Sequence, residues 1–189
     1  MKRLLFAIIA SLVVYTLPSR PVFQVTTQKH CERSIVSTID WPAVQDSFTG
    51  VSFGTKYVSA CTILERKYPR LNLKELGDEL GVHVTGFKFA GFTFDEATFY
   101  TEKEVGFYQI IMISKFRTEY DQNLIFNHYL SLLKEKYGEK IMVEEDTAYY
   151  LDLNNRSVYL SREKTLELTL IYSDDTLRES VHKKNLNEI

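Results

Sequence analysis

Two apolar stripes of the same shape stand 69 positions apart in this chain of 189 residues. Tyr57, Cys61, Leu64 and Tyr68 fall at four-three-four spacing, and so do Phe126, Leu130, Leu133 and Tyr137. That spacing places four side chains on one face of a helix, which must then be buried against something flat and apolar. The stripes also end alike. Leu64-Glu65-Arg66-Lys67-Tyr68-Pro69 is matched by Leu133-Lys134-Glu135-Lys136-Tyr137-Gly138. Proline stops the first helix and glycine suits the left-handed residue that closes the second.

Strand patterns follow each stripe. The first helix is expected over residues 55–68, with Thr55 as its N-cap. Val82 to Phe89 alternates, Ala90-Gly91 is a turn signal, and Phe92 to Tyr100 resumes the strand. Val105 to Ser114 is apolar at almost every position and is expected to be central. After the second helix, Glu119 to Tyr137, three more strands are expected: Met142–Asp152, Ser157–Glu163 and Leu166–Tyr172. Asn154-Asn155 marks a hairpin between the first two of these. Residues 70–81 carry Leu71, Leu73, Leu76 and Leu80 among charges, which suggests a short extra helix.

The reading is therefore α+β: an antiparallel sheet with helices on one face, as a tandem helix–three-strand repeat with halves at about 48–115 and 116–173. A duplication and a coincidence of helical spacing both account for the shared stripe. Residues 174–189 are expected to be a polar tail, frayed helix or disordered.

The N-terminus points to a compartment. Lys2 and Arg3 precede an apolar run from Leu4 to Tyr15, the layout of a secretory signal. The run falls short of the ~20 apolar residues that span a bilayer. No Ala-x-Ala precedes a cleavage point, so residues 1–20 are read as a signal peptide or an uncleaved anchor, followed by an extension over 21–47. Residues 1–20 hold three basic side chains (Lys2, Arg3, Arg20) and no acid. The remainder carries 20 basic against 25 acidic side chains, a net charge of −5. That balance argues against a nucleic-acid partner. Membrane contact is expected only through residues 1–20, if they are retained, and the chain is expected to work outside the cytoplasm, periplasmic or secreted. An oxidising compartment permits a disulfide between Cys31 and Cys61, whereas the stripe position of Cys61 suits a small buried hydrophobe.

Phe48-Thr49-Gly50-Val51-Ser52-Phe53-Gly54, the helix ending in Lys67-Tyr68, and Phe89-Ala90-Gly91-Phe92-Thr93-Phe94-Asp95 together resemble small exported proteins of Bacteroidota-type bacteria. The resemblance spans roughly residues 48–173. It implies export and says nothing of chemistry. In architecture, tandem helix-plus-sheet units are similar to the β-lactamase-inhibitor protein fold and to small lipoproteins of the outer-membrane barrel assembly machine. Both comparisons imply non-catalytic binders, although fold does not fix function. Gln28-Lys29-His30 before Cys31 is not a lipobox, which weakens the second comparison.

No catalytic, cofactor or metal motif stands out. His30, His83, His128 and His182 are scattered, with only His30 beside a cysteine. His128, on the second helix, is the one candidate base. The acids cluster at Asp95-Glu96, Glu144-Glu145-Asp146 and Asp174-Asp175, at expected strand ends and turns. There is no Gly-x-Ser-x-Gly, P-loop or His-Glu-x-x-His. The aromatics say more. Twelve Phe and twelve Tyr exceed the needs of one sheet face. Tyr149 and Tyr150 are consecutive in a strand and must point to opposite faces. Tyr108, Tyr149, Tyr150 and Tyr159 are the candidate contacts for a protein partner. Ordinary cross-strand packing is the competing account. The expected function is an exported, non-catalytic protein-binding or inhibitory module without a cofactor. A membrane-anchored assembly factor and an unrecognised hydrolase are the alternatives.

Overall fold

The computed structural model describes residues 41–68, 72–76 and 79–187. The expected signal, most of the extension, and Cys31, the other half of the disulfide the compartment would permit, lie outside these residues, while Cys61 is buried as a free thiol.

A short hairpin opens the fold, β1 (Ser47–Phe48) and β2 (Val51–Ser52). Helix α1 (Tyr57–Glu65) follows. Thr55 does not cap it: Lys56 is the N-cap, without a side-chain bond, and Thr55 Oγ1 accepts from Ser52 N–H at 3.1 Å. Four strands come next: β3 (Asn72–Leu76), β4 (Glu79–Phe89), β5 (Phe92–Glu102) and β6 (Gly106–Lys115). Helix α2 (Glu119–Tyr137) then leads to β7 (Met142–Glu144), β8 (Thr147–Leu151), β9 (Arg156–Arg162) and β10 (Glu167–Asp174), and α3 (Asp175–Asn187) ends the chain.

Eight of these strands form one antiparallel sheet, in the order β3-β4-β5-β6-β10-β9-β8-β7. Each half is a four-strand meander preceded by a helix, and the last strands of the two halves pair at the centre. Two strand assignments from the sequence change. Residues 72–76, expected in a helix, pair with β4 instead. The stretch Met142–Asp152 is two strands, split by a turn at Glu145-Asp146.

The alternation of the strands sends one set of side chains to a packed face. Val82, Val84, Phe99, Ile110, Met112, Leu160, Leu168 and Leu170 are fully buried there. Both stripes dock on this face. Cys61 and Leu64 of α1, with Ala60, are buried, as are Phe126, Leu133 and Tyr137 of α2, while Tyr57, Tyr68 and Leu130 pack against the same core. Tyr129 of α2 lies 5.5 Å from Phe94, and its hydroxyl donates to Phe89 O at 2.8 Å. Thr118 caps α2 by accepting from Asp121 N–H, and Gly138 closes it at φ 63°. Acids in its first turn and lysines in its last complement the helix dipole.

The domain begins earlier than residue 48. Val44 is buried, its N–H donates to Asp152 at 2.8 Å, and Trp41 Nε1 donates to Leu151 O at 3.1 Å. Close approach also fixes the start of β6. Phe107 exchanges backbone bonds with Gly54 and Thr55, and a Cβ on Gly106 (φ 90°) would sit 2.5 Å from Gly54 O.

The end of the chain is helical rather than disordered over 175–187. Asp174 accepts from Leu177 N–H at 3.1 Å and starts α3, which packs on β6, β9 and β10 with Val181 1% exposed. α3 lies on the sheet face opposite α1 and α2. Helices therefore cover one face along its length and the other only at one end.

Candidate functional site

The face opposite α1 and α2 is built by register. Reading across the strands, Thr98 stands opposite Ile111, Ile111 opposite Ile171, Ile171 opposite Tyr159, Tyr159 opposite Tyr149, and Tyr149 opposite Met142. These positions form one continuous row over six strands. A parallel row two residues along runs Glu96, Ile113, Thr169, Ser161, Thr147 and Glu144. Beyond it, Lys115 pairs in register with Glu167, and Glu163 N–H bonds Glu167 O at 2.8 Å. Directly opposed side chains on a sheet face lie within contact range, so the two rows form a strip, apolar and aromatic along one line and acidic at the rim. Its isoleucines and tyrosines are half-buried. α3 borders it on the side away from the acids.

The four candidate tyrosines divide. Tyr149 and Tyr159 are half-buried in the strip. Tyr150, pointing the opposite way from Tyr149, is 1% exposed on the helix side, stacked on Tyr137. Tyr108 belongs to the strip's face but is 3% exposed, where α3 packs on β6. A register shift at Tyr100/Thr101 brings it there. Tyr150 and Tyr108 are thus removed from solvent in this fold.

The charges around the strip are mostly acidic. Burial pushes the Glu167 carboxyl up, and Glu163 and Glu96 push it the same way against the pull of Lys115. Burial also raises the Tyr159 phenol. The Glu163 and Glu144 charges add to this, while a bond with Ser161 opposes it. Tyr149 is raised by burial and by Asp175, partly offset by Arg178 and a bond with Ser157.

One polar chain on this face escaped the sequence reading. His83 Nδ1 lies 3.2 Å from Thr98 Oγ1, and its Nε2 lies 3.4 Å from Glu96. Hydroxyl, imidazole and carboxylate in that order are the components of an activated nucleophile. Thr98, however, sits mid-strand with ladders to β4 and β6. Its neighbouring N–H groups are committed to the sheet and offer no donor pair to an oxyanion. The trio reads as a cross-strand lock. The signal was present in the alternation of the two strands, which sets His83 opposite Thr98.

The other acids and histidines have local roles. Asp95 accepts from Lys115 N–H at 2.8 Å. Asp146 pairs with Arg162 at 2.8 Å, and the Arg162 guanidinium lies over Phe126 and also bonds Asn123. Asp174 pairs with Arg156, which also reaches Asp46 at 2.9 Å. His128 is on the exposed side of α2, edge-on to Tyr129. An open cleft of about 460 Å³ beside α1 is lined by Lys56, Tyr57, Val58, Leu80 and Lys103. Among the described residues, no group of three or more His, Cys, Asp or Glu is placed to hold a metal ion, and no helix is long and apolar enough to cross a membrane. No protein-family model, curated protein or solved structure matches the chain.

Proposed function

We propose that this chain is an exported, non-catalytic protein-binding module whose partner docks on the strip of sheet that α3 leaves open. The observation that carries this reading is the unbroken row Ile111, Ile171, Tyr159 and Tyr149, half-buried and facing away from both stripe-bearing helices. Cross-strand pairing of isoleucine with tyrosine stabilises the sheet by itself, but a continuous apolar and aromatic row left partly open to solvent is also the composition of a protein interface. The basic-then-apolar start of the chain supports export. The matching stripes and the helix-plus-meander order of both halves support an ancestral duplication.

The test is a capture experiment with the full-length chain and three single variants. Tyr149→Ala and Tyr159→Ala should each weaken partner retention by ≥ ~2 kcal/mol if they act as anchors. Tyr120→Ala, on the outer side of α2 with Tyr120 75% exposed, should leave retention unchanged. Thermal melts run in parallel separate lost binding from lost folding. Retention unaffected by both strip variants assigns those tyrosines to packing and removes the reading.

A further inference from the structure

We infer that the strip takes a basic amphipathic helix of a partner protein, lying across the strands, an inference that rests on the binding role proposed above. Its dimensions set the shape of the occupant. From β5 to β7 the row crosses five inter-strand intervals, or ~24 Å at ~4.8 Å each. Two rows of side chains two residues apart add a width of only ~7 Å. Such an area is smaller than the ~800 Å² per partner of a standard globular interface. It matches one helix, about 16 residues long at ~1.5 Å per residue and ~10 Å across.

The charges set its chemistry. Glu96 and Glu144 end the second row, and Glu163 and Glu167 stand beyond its middle. Two basic groups stand among them: Lys115, 4.0 Å from Glu167, and the His83 imidazole, 3.4 Å from Glu96. Four carboxylates against one ammonium and one imidazole leave the rim negative even with His83 protonated. The electrostatic pressure on Glu167 and Tyr159 comes from these same acids. A helix with a leucine-type stripe flanked by lysine or arginine satisfies both features. Its stripe covers Ile111, Ile171 and Tyr159, and its cations relieve the rim. An acidic helix of the same shape would add like charges to it.

The test uses the full-length chain and three synthetic peptides of about 18 residues. One is an amphipathic Leu/Lys helix, one its Leu/Glu counterpart, and one a Leu/Lys scramble without a stripe. Isoleucine methyl NMR locates binding, and anisotropy of labelled peptide measures it. The Leu/Lys helix should shift the methyls of Ile111, Ile113 and Ile171. Its affinity should fall at least about tenfold from ~50 to ~500 mM salt, and by about tenfold in the Glu163→Gln/Glu167→Gln double variant. The scramble should bind weakly. Equal binding of the Leu/Glu helix at these methyls would overturn the charge inference while leaving the strip as a docking face. Binding of the Leu/Lys helix elsewhere, or no binding at all, would overturn the inference itself, and the capture experiment would still judge the strip independently.

Discussion

The rings of Tyr137 and Tyr150 stack with centroids 4.2 Å apart and planes 17° from parallel, joining the last turn of α2 to β8. Burial pushes the Tyr137 phenol up to about 12. Tyr150 Oη donates to Pro42 O at 2.6 Å, and Trp41 lies 6.3 Å away at a 27° tilt. One aromatic pair therefore ties a helix, a strand and the first described segment together. Tyr150→Phe, which keeps the stack and loses the bond, should cost about 0.5–1.5 kcal/mol. Tyr150→Ala should cost about 3–5 kcal/mol. Denaturant unfolding measures both, and proteolysis around residues 42–46 should accelerate in the second variant.

The two stripes support a matched pair of core deletions. Leu64 is fully buried and Leu133 nearly so. Leu64→Ala and Leu133→Ala should each destabilise by about 2–5 kcal/mol. A cost below about 1 kcal/mol for either in urea unfolding would mean that its helix contributes little to the core.

Glu102 gives the fold an acid-sensitive joint. Its carboxylate accepts from Glu104 and Val105 N–H at 2.7 Å each and from Lys184 Nζ of α3 at 2.8 Å. Burial pushes its pKa up, but the Lys184 and backbone bonds outweigh burial and hold it below the ordinary 4.5. A carboxyl lowered on folding adds stability above its unfolded pKa and loses it as pH falls through the folded value. Wild-type protein should thus lose part of its thermal stability below about pH 4.5, and Glu102→Gln should show a flatter pH profile with a lower melting point at neutrality.

Gly106→Ala should be disruptive although only a methyl is added. Its φ of 90° disfavours any side chain, and the Cβ meets Gly54 O at 2.5 Å, backbone against backbone. The conformation alone should cost about 1–3 kcal/mol, with the displaced Gly54–Phe107 bonds in addition. Circular dichroism melts should show the drop, and Gly91→Ala, with open space around it, provides the comparison.

Local chemistry made some elements legible and tertiary contacts hid others. α2 spans Glu119 to Tyr137 as its stripe and closing glycine indicate. The opposite directions of Tyr149 and Tyr150 follow from strand alternation alone. Residues 72–76 mislead because Leu, Lys and Glu favour helix intrinsically, and the ladder with β4 overrides that preference. The turn at Glu145-Asp146 lacks Gly or Asn, and its acid cluster, though suited to a turn, does not by itself split a strand in two. α3 is stabilised by Val181 and by Lys184 meeting Glu102, 82 positions away. A mostly polar segment gives no sign of such an anchor. Tyr108 was read with the other tyrosines because neither that helix nor the register shift at Tyr100/Thr101 is visible in the sequence.

The pairing of β6 with β10 carries a kinetic consequence. Ile111 and Ile171 meet across it although 60 positions separate them. The first meander is complete at Lys115, and its β6 partner lies beyond α2 and three further strands. A chain growing from its N-terminus thus holds an isoleucine-rich edge open until its last strand arrives. Non-local pairing of this kind is slow, and a bare apolar edge recruits other chains. The seam that makes one sheet of two halves is also the step at which folding competes with aggregation, and a chaperone acting on this chain has most to shield between the emergence of Lys115 and that of Asp174.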